Sequence, residues 1–474
     1  MERRPPLCVP VLMALLVALT LFGAFASTAR AGTVLRGMAD NRFTDYSRPL
    51  AERLALLHEL RASLRGRVVR LDCDWTLAEP QRGVYDDSGY LAGLKAMTDA
   101  AHADGLKVIV LIIYVPRWAS DKSYWSHPPA ASFSGYQSFY PVAAGSLDDL
   151  GAFAGHVAAL LKGEVLGYEC WDEPNLWCYI YPQRTSTDTE FAARTYRGYL
   201  HAMSPAIKAA DPGALVIGGA TAPSGDNDFF RTAPQTFARQ LKALGAGRYF
   251  DVYSHHPYSV GGRSDLDPAL QPAHPDHTVE LANIGTLLRI FPKKPYYLTE
   301  YGYSTSYSWA FGPPVTETKQ AVYLRKAFAM AARHPQIKLL LWYLDRDYSP
   351  TGTTSDPNGT YTGLRRLGGS AKPAWYAFAG GDRLTLSVPA TVRQDALTRL
   401  SGRLSCASVG GLKGKRVQLL RKRGGGPWTM GRGIATGTDG RISLRLRVGA
   451  TQRYRLLWPG VVSSPIRLVR VRAR

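Results

Sequence analysis

The chain has 474 residues, 45% apolar and 11% aromatic, and carries 58 Lys and Arg against 37 Asp and Glu for a net charge of +21. That length allows two or three domains, although a single barrel can use well over 250 residues. No CxxC pair or His-rich run has the spacing of a structural zinc site, and no nucleic-acid-binding motif accompanies the positive charge, so both classes are set aside.

Arg3 and Arg4 precede an apolar run from about Val11 to Ala26, and Ala29-Arg30-Ala31 has the form of a cleavage site. This is the layout of a secretory signal peptide over 1–31; the run is short for an uncleaved anchor. The expectation is a secreted, extracellular chain beginning near Gly32, with surface association as a variant. Cys8 leaves with the leader, and Cys73, Cys170, Cys178 and Cys406 remain. A local Cys170–Cys178 bridge and buried free thiols are both open.

Residues 32–380 alternate strand-like and helical patterns. The strand candidates are TVLRGMA, VVRLDCDW, KVIVLIIYVP, VLGYECWDEP, ALVIGGAT, FDVYSHHPY, PYYLTEYGY and IKLLLWYLD. Helical stretches such as LAGLKAMTDAAHADG lie between them, with Gly and Asp-Pro stops where helix ends belong. Eight β–α repeats with near-continuous apolar strands predict a parallel (β/α)8 barrel covered on both strand faces. An open doubly wound sheet would normally show a Gly-rich phosphate turn after its first strand, which RGMADNR is not.

From Gly381 onward the chain carries 20 Lys or Arg against three acids, so nearly all of the excess charge sits in 381–474. Short segments broken by Gly and Pro predict a small all-β, Ig-like sandwich there. In RISLRLRV, alternation sends Ile442, Leu444, Leu446 and Val448 to the core and Arg441, Arg445 and Arg447 to solvent. Such a face can hold the protein on an anionic wall polymer, acidic polysaccharide or lipid surface; an Arg-biased composition on an ordinary accessory domain gives the same pattern.

Chemistry in a barrel of this kind sits at the C-terminal strand ends. Strand four runs into Asp172-Glu173, flanked by Trp171 and Trp177. Strand six runs into His256 and Tyr258, strand seven into Glu300, and strand eight into Trp342. Glu173 and Glu300 lie three βα units apart, so closure of the barrel lets them face one another. Two carboxyl groups facing a sugar can split a glycosidic bond, one as proton donor and one as nucleophile. An apolar wall, for which Trp171 and Trp177 are candidates, keeps the acid protonated. Trp118, Trp342 and the aromatics after strands three and seven, among them Trp309, are candidates for stacking on sugar rings.

These motifs place the chain near a known group. From about Thr33 to Ala379 it resembles glycoside hydrolase clan A, the retaining (β/α)8 enzymes. WDEPN resembles that clan's acid/base signature and YLTEYGY its nucleophile signature. HPY matches a strand-six His-x-Tyr, and Arg70 in VVRLD resembles an arginine that steadies the nucleophile. AEPQRGVYD and VPRWAS resemble segments of family 39 β-xylosidase-like and family 5-like members. The resemblance implies a secreted retaining β-glycosidase acting on an oligo- or polysaccharide without cofactor or metal. Glu173 and Glu300 are then catalytic, and Arg70, Trp118, Asp172, His256, Tyr258 and Trp342 bind substrate. One position departs from the pattern, since Asp172 stands where the clan usually has an Asn bonded to the sugar 2-OH. The alternatives are a non-catalytic carbohydrate-binding or wall-associated protein on the same scaffold, and a transglycosidase.

Overall fold

The computed structural model describes residues 33–260, 265–307, 313–348 and 360–473. The expected leader over 1–31 and Trp309 lie outside the described residues. Eight parallel strands close into a barrel: β1 (Leu35–Ala39), β2 (Val68–Asp74), β3 (Lys107–Ile113), β4 (Gly167–Cys170), β5 (Leu215–Thr221), β6 (Val252–His255), β7 (Tyr296–Leu298) and β8 (Ile337–Trp342). Closure runs through β1 and β8, from Leu35 opposite Leu339 to Met38 opposite Trp342.

Strand alternation divides the side chains into two layers. Ala39, Val68, Ile109, Ile217, Val252, Tyr297, Leu339 and Leu341 fill the barrel interior, with Tyr343 packed against them. Val69, Leu71, Val108, Val110, Tyr168 and Val216 face the helices and join the larger core. Each such aliphatic side chain removed from water contributes roughly 1.5–3 kcal/mol. The helices around the barrel are α1 (Leu50–Ala62), α2 (Trp75–Ala78), α3 (Tyr90–Ala103), α4 (Leu147–Leu160), α5 (Phe191–Ala210), α6 (Pro234–Ala243), α7 (Gly285–Leu288), α8 (Glu317–Ala331) and α9 (Pro373–Ala379). None of the described helices is long and apolar enough to cross a membrane.

After α9 the chain is all β. One sheet has the order β10-β18-β16-β13-β14 with β17 on β16; the other has the order β12-β11-β15 with β9 on β11. Their ranges are β9 (Arg383–Leu384), β10 (Thr391–Arg393), β11 (Leu397–Cys406), β12 (Gly410–Gly411), β13 (Arg416–Lys422), β14 (Thr429–Ala435), β15 (Arg441–Arg447), β16 (Gln452–Trp458), β17 (Val462–Ser463) and β18 (Arg467–Arg472). The segment LTLSVPATV does not form one strand but splits about Pro389, whose missing N–H cannot serve a ladder. On β15 the expected alternation holds: Ile442 is buried and Arg441, Arg445 and Arg447 are exposed. This unit packs on the barrel flank through Trp458 against Tyr376, 4.9 Å between ring centres, and through a hydrogen bond from Ser408 Oγ to Ser63 O. Cys73, Cys170, Cys178 and Cys406 are all free thiols.

Gly37 marks the tightest approach between strands. A Cβ there would stand 2.2 Å from Val68 O and 2.6 Å from a Leu341 methyl. Gly37→Val is therefore expected to destabilise the barrel by about 2 kcal/mol or more, read as a lowered melting temperature by circular dichroism. An unchanged melting temperature would show that β1 can shift away from β2.

Candidate active site

The barrel brings β2, β4, β6 and β7 to one mouth, and Arg70 is its hub. The Arg70 side chain is buried in the interior two residues beyond Val68. Its Nη1 donates to Glu169 Oε2 at 3.3 Å and its Nη2 to Glu300 Oε1. Asp172 Oδ1 lies 3.6 Å from Nη1 and Asp72 Oδ1 lies 3.4 Å from Nε. Four carboxylates thus surround one guanidinium. Removing it would leave buried charges uncompensated, a loss of roughly 3–5 kcal/mol.

The loop after β4 places Asp172 and Glu173. The ladder stops at Cys170 and that of β7 at Leu298, so Glu173 and Glu300 project from the turns just beyond the strands rather than from the strand ends themselves. Trp171 and Glu173 have φ of 75° and 32°, strained for side chains with a Cβ. This turn breaks the strand alternation. Trp171 swings into the helix layer, against Tyr199 at 4.8 Å, and its Nε1 donates to Tyr179 O. Asp172 and Glu173 are left to face the mouth. Asn175 pins the loop, since its Oδ1 accepts from Ala222 N at 2.8 Å and its Nδ2 donates to Thr232 O at 2.9 Å.

His256 links the two glutamates. Its Nδ1 is 3.0 Å from Glu173 Oε1 and 3.9 Å from Glu300 Oε2, so those oxygens lie within about 7 Å of one another. Nε2 is 3.1 Å from Thr299 Oγ1, and Thr299 gives its own hydrogen to Glu169 Oε1 at 2.8 Å. Thr299 must then accept from Nε2, which fixes a proton on that nitrogen. The Nδ1–Glu173 contact therefore holds one further proton, shared between imidazole and carboxyl. Burial would lower the His256 pKa, but the charge of Glu300 and the bond to Glu173 outweigh it and push it up to about 9.

The two glutamates are driven apart. Burial raises the Glu173 pKa, with His256 opposing in part. Burial acts in the same direction on Glu300, yet Arg70, His256 and the Tyr258 hydroxyl, which donates to Oε2 at 2.9 Å, bring it below the ordinary glutamate value. One carboxyl group is poised to keep a proton and the other to lose it, the division of labour that acid/base chemistry needs. Asp172, His256 and Glu300 also offer ligand atoms within 4.8 Å of one another. Arg70 already supplies the positive charge at that point, so this donor set does not fit a metal ion.

Arg70, Asp172, His256, Tyr258, Glu173 and Glu300 come together. The aromatic expectations fare differently. Trp342 is fully buried, with its Nε1 bonded to Thr362 O and its ring edge-on to Tyr301. It packs beneath the mouth and offers no face to a sugar. Tyr343, the next residue, shares the interior parity of Leu339 and Leu341. Trp118 packs against Trp75 and bonds Glu79 O. Trp177 joins Phe133 and Phe139 in a loop cluster, so neither it nor Trp171 walls Glu173 as expected. Tyr114 and Tyr179, with ring centres 6.5 Å apart, border Asp172 instead. Glu169, Thr299 and Tyr343 escaped sequence reasoning. Glu169 had a signal, an acid at an interior position of an apolar strand.

Neither a family model nor a curated protein matches the sequence. Solved structures do. A family 39 glycoside hydrolase from Bacteroides cellulosilyticus WH2 superposes with a TM-score of 0.51 at 17% identity, covering 89% of this chain and 80% of that one. A GH5_18 protein from Bifidobacterium longum subsp. infantis gives 0.54 at 16% over 73% and 77%. A GH5_18 protein from Streptomyces cattleya, solved with GlcNAc, gives 0.53 at 17% over 74% and 79%. The chain shares the barrel fold of these glycoside hydrolases.

A raised His256 pKa means that the folded state binds an extra proton between about 6.5 and 9. Its stabilising contribution is complete below 6.5 and is lost as pH rises through 9. The melting temperature is expected to fall across that window, and His256→Gln to flatten the fall. Parallel curves for the two proteins would remove the shared proton from the account.

Proposed function

We propose that the chain is a secreted glycoside hydrolase that cleaves β-glycosidic bonds of an oligo- or polysaccharide with retention of configuration. The observation that carries this reading is the opposed tuning of Glu173 and Glu300 around His256 and Arg70. Glu173 gives its proton to the glycosidic oxygen as Glu300 attacks the anomeric carbon and the leaving group departs. Glu173 then takes a proton from water, whose oxygen attacks the same carbon and frees Glu300. Tyr258 and Arg70 hold the attacking carboxylate ionised and oriented. His256, in contact with Glu173 through Nδ1, keeps that carboxyl oriented in both steps.

Product release by mass spectrometry from a broad panel of polysaccharides and aryl glycosides tests this. Glu300→Ala is expected to abolish product. Glu173→Gln should cost about 10²–10⁴-fold on poor leaving groups and less on activated ones. The pH profile should be bell-shaped, falling on the acid side as Glu300 is protonated and on the basic side as the shared proton leaves. Wild-type product that persists in Glu300→Ala would remove it as nucleophile. No product from wild type anywhere in the panel would favour a binding protein.

The basic sandwich is assigned to holding the enzyme on an anionic wall polymer or acidic polysaccharide. Besides the exposed arginines of β15, a cavity of about 580 Å³ there is lined by Lys422, Gly424, Gly425, Trp428, Arg453 and Ile466. Retention on an immobilised acidic polysaccharide is expected to fall steeply with added salt. A Lys422→Glu, Arg453→Glu double variant should bind more weakly, with hydrolysis of a small aryl glycoside unchanged. Salt-insensitive retention, or none, would detach the charge from surface binding.

A further inference from the structure

One face of the sandwich holds positive charges that no neighbouring acid answers. On the antiparallel pair of β13 and β16, Lys422 stands directly opposite Arg453, and Leu420 opposite Arg455. Residues two apart on a strand share a face, so Lys422, Arg453 and Arg455 stand on one side of the sheet. Like charges directly opposite one another are destabilising. From Gly381 onward the acids are Asp382, Asp395 and Asp439, and none of them lines the cavity that Lys422 and Arg453 border. The sheet keeps a repulsive pair beside an open cavity, and its counter-charge is left to another molecule.

The same cavity, about 580 Å³, has an aromatic wall. Trp428 follows the Gly-rich turn between β13 and β14 and is half-buried. Arg455 lays its guanidinium over that ring, 4.7 Å from the centroid. Arg455 does not itself line the cavity, so Trp428 borders it with the part of the ring that Arg455 leaves uncovered. The turn is held down, since Arg453 Nη1 donates to Gly424 O at 3.2 Å. It is also low: a Cβ on Gly424 or Gly425 would meet nothing within 4 Å. An open lip, one aromatic surface and two adjacent cations are thus fixed relative to one another. A bare inorganic anion would use the cations alone. A pyranose bearing a carboxylate uses both, its apolar C–H face on the indole and its charge on the pair.

We propose that this cavity binds a hexuronate residue of an acidic polysaccharide, with Trp428 stacked on the sugar ring and Lys422 and Arg453 paired with its carboxylate. The inference rests on the surface-attachment reading above and deepens it, replacing diffuse charge by a site. Arg453 commits one N–H to Gly424 and keeps its other donors for the carboxylate. A lipid phosphate would satisfy the cations and leave the ring without a partner.

The test is calorimetry on the full chain at about 0.15 M salt, where long-range attraction is screened. The probes are short oligogalacturonates and oligoglucuronates, the same oligomers methyl-esterified, and phosphatidylglycerol vesicles. Esterification is expected to weaken binding about tenfold or more, and Trp428→Ala to weaken it by a similar factor. Lys422→Ala with Arg453→Ala is the second route if the tryptophan variant does not fold, and comparing acid with ester needs no variant. Arg441→Ala with Arg445→Ala removes as much charge from β15, on the other sheet, and should leave oligomer binding unchanged. Full affinity in Trp428→Ala, or an equal loss from the two double variants, would overturn the site. Salt-sensitive retention on an acidic polysaccharide without oligomer binding would also overturn it, with surface attachment left standing. If retention is absent as well, the attachment reading fails with it. Tighter binding to the vesicles than to the oligomers would overturn the polysaccharide assignment in favour of lipid.

Discussion

The mouth of this barrel is organised around one buried cation. Arg70 is held in the interior of β2, where leaving water would be prohibitive without partners, and its partners come from β4, β7 and the loop after β4. They meet only because the sheet closes. Arg70 therefore makes the closed barrel a condition of the chemistry, since no shorter supersecondary unit joins Glu169, Asp172 and Glu300 to one guanidinium. The same contact decides which glutamate does what. Glu300 lies against the guanidinium and is held ionised; Glu173 lies against His256 and keeps a share in a proton.

A chain of five groups transmits this arrangement. Arg70 orients Glu169, Glu169 takes the hydrogen of Thr299, Thr299 receives that of His256 Nε2, and His256 Nδ1 meets Glu173. Each link fixes the donor sense of the next. Glu169 and Thr299 reach no reacting atom, yet they determine which nitrogen of His256 faces the acid. Thr299→Val would keep the shape and remove the acceptor, freeing the tautomer; its effect belongs to the protonation of Glu173 rather than to sugar affinity.

Most of this architecture was legible because its strands are written in apolar runs that stop at polar residues. All eight were found, and Glu173, His256, Tyr258 and Glu300 fall just past the ends of β4, β6 and β7. Legibility failed where pattern carries no face information. In LLLWYLD nearly every residue is apolar, so alternation cannot say that Tyr343 shares the interior side and Trp342 the helix side. The turn at Trp171 failed for another reason. A positive φ at a tryptophan contradicts its local preference and is imposed by the packing of β4 against β5 and by Asn175, none of it visible in GYECWDEPN. The loop after β3 is rich in rings, but sequence does not distinguish rings stapled to one another from rings facing a cleft.

The charge of the chain is divided against itself, and the division has a use. The sandwich is strongly basic and the barrel mouth is acidic, so a single polymer cannot be attracted by both at long range unless it carries both signs. At physiological ionic strength, fields from exposed charges decay over about 8 Å, and the sandwich and the mouth then act on whatever touches each of them. On the reading proposed above, the basic surface would settle on an anionic wall while the mouth, shielded from it, acts on what touches it. On that reading two opposed electrostatic surfaces separate residence from recognition, and a surface-held enzyme need not bind its anchor as substrate.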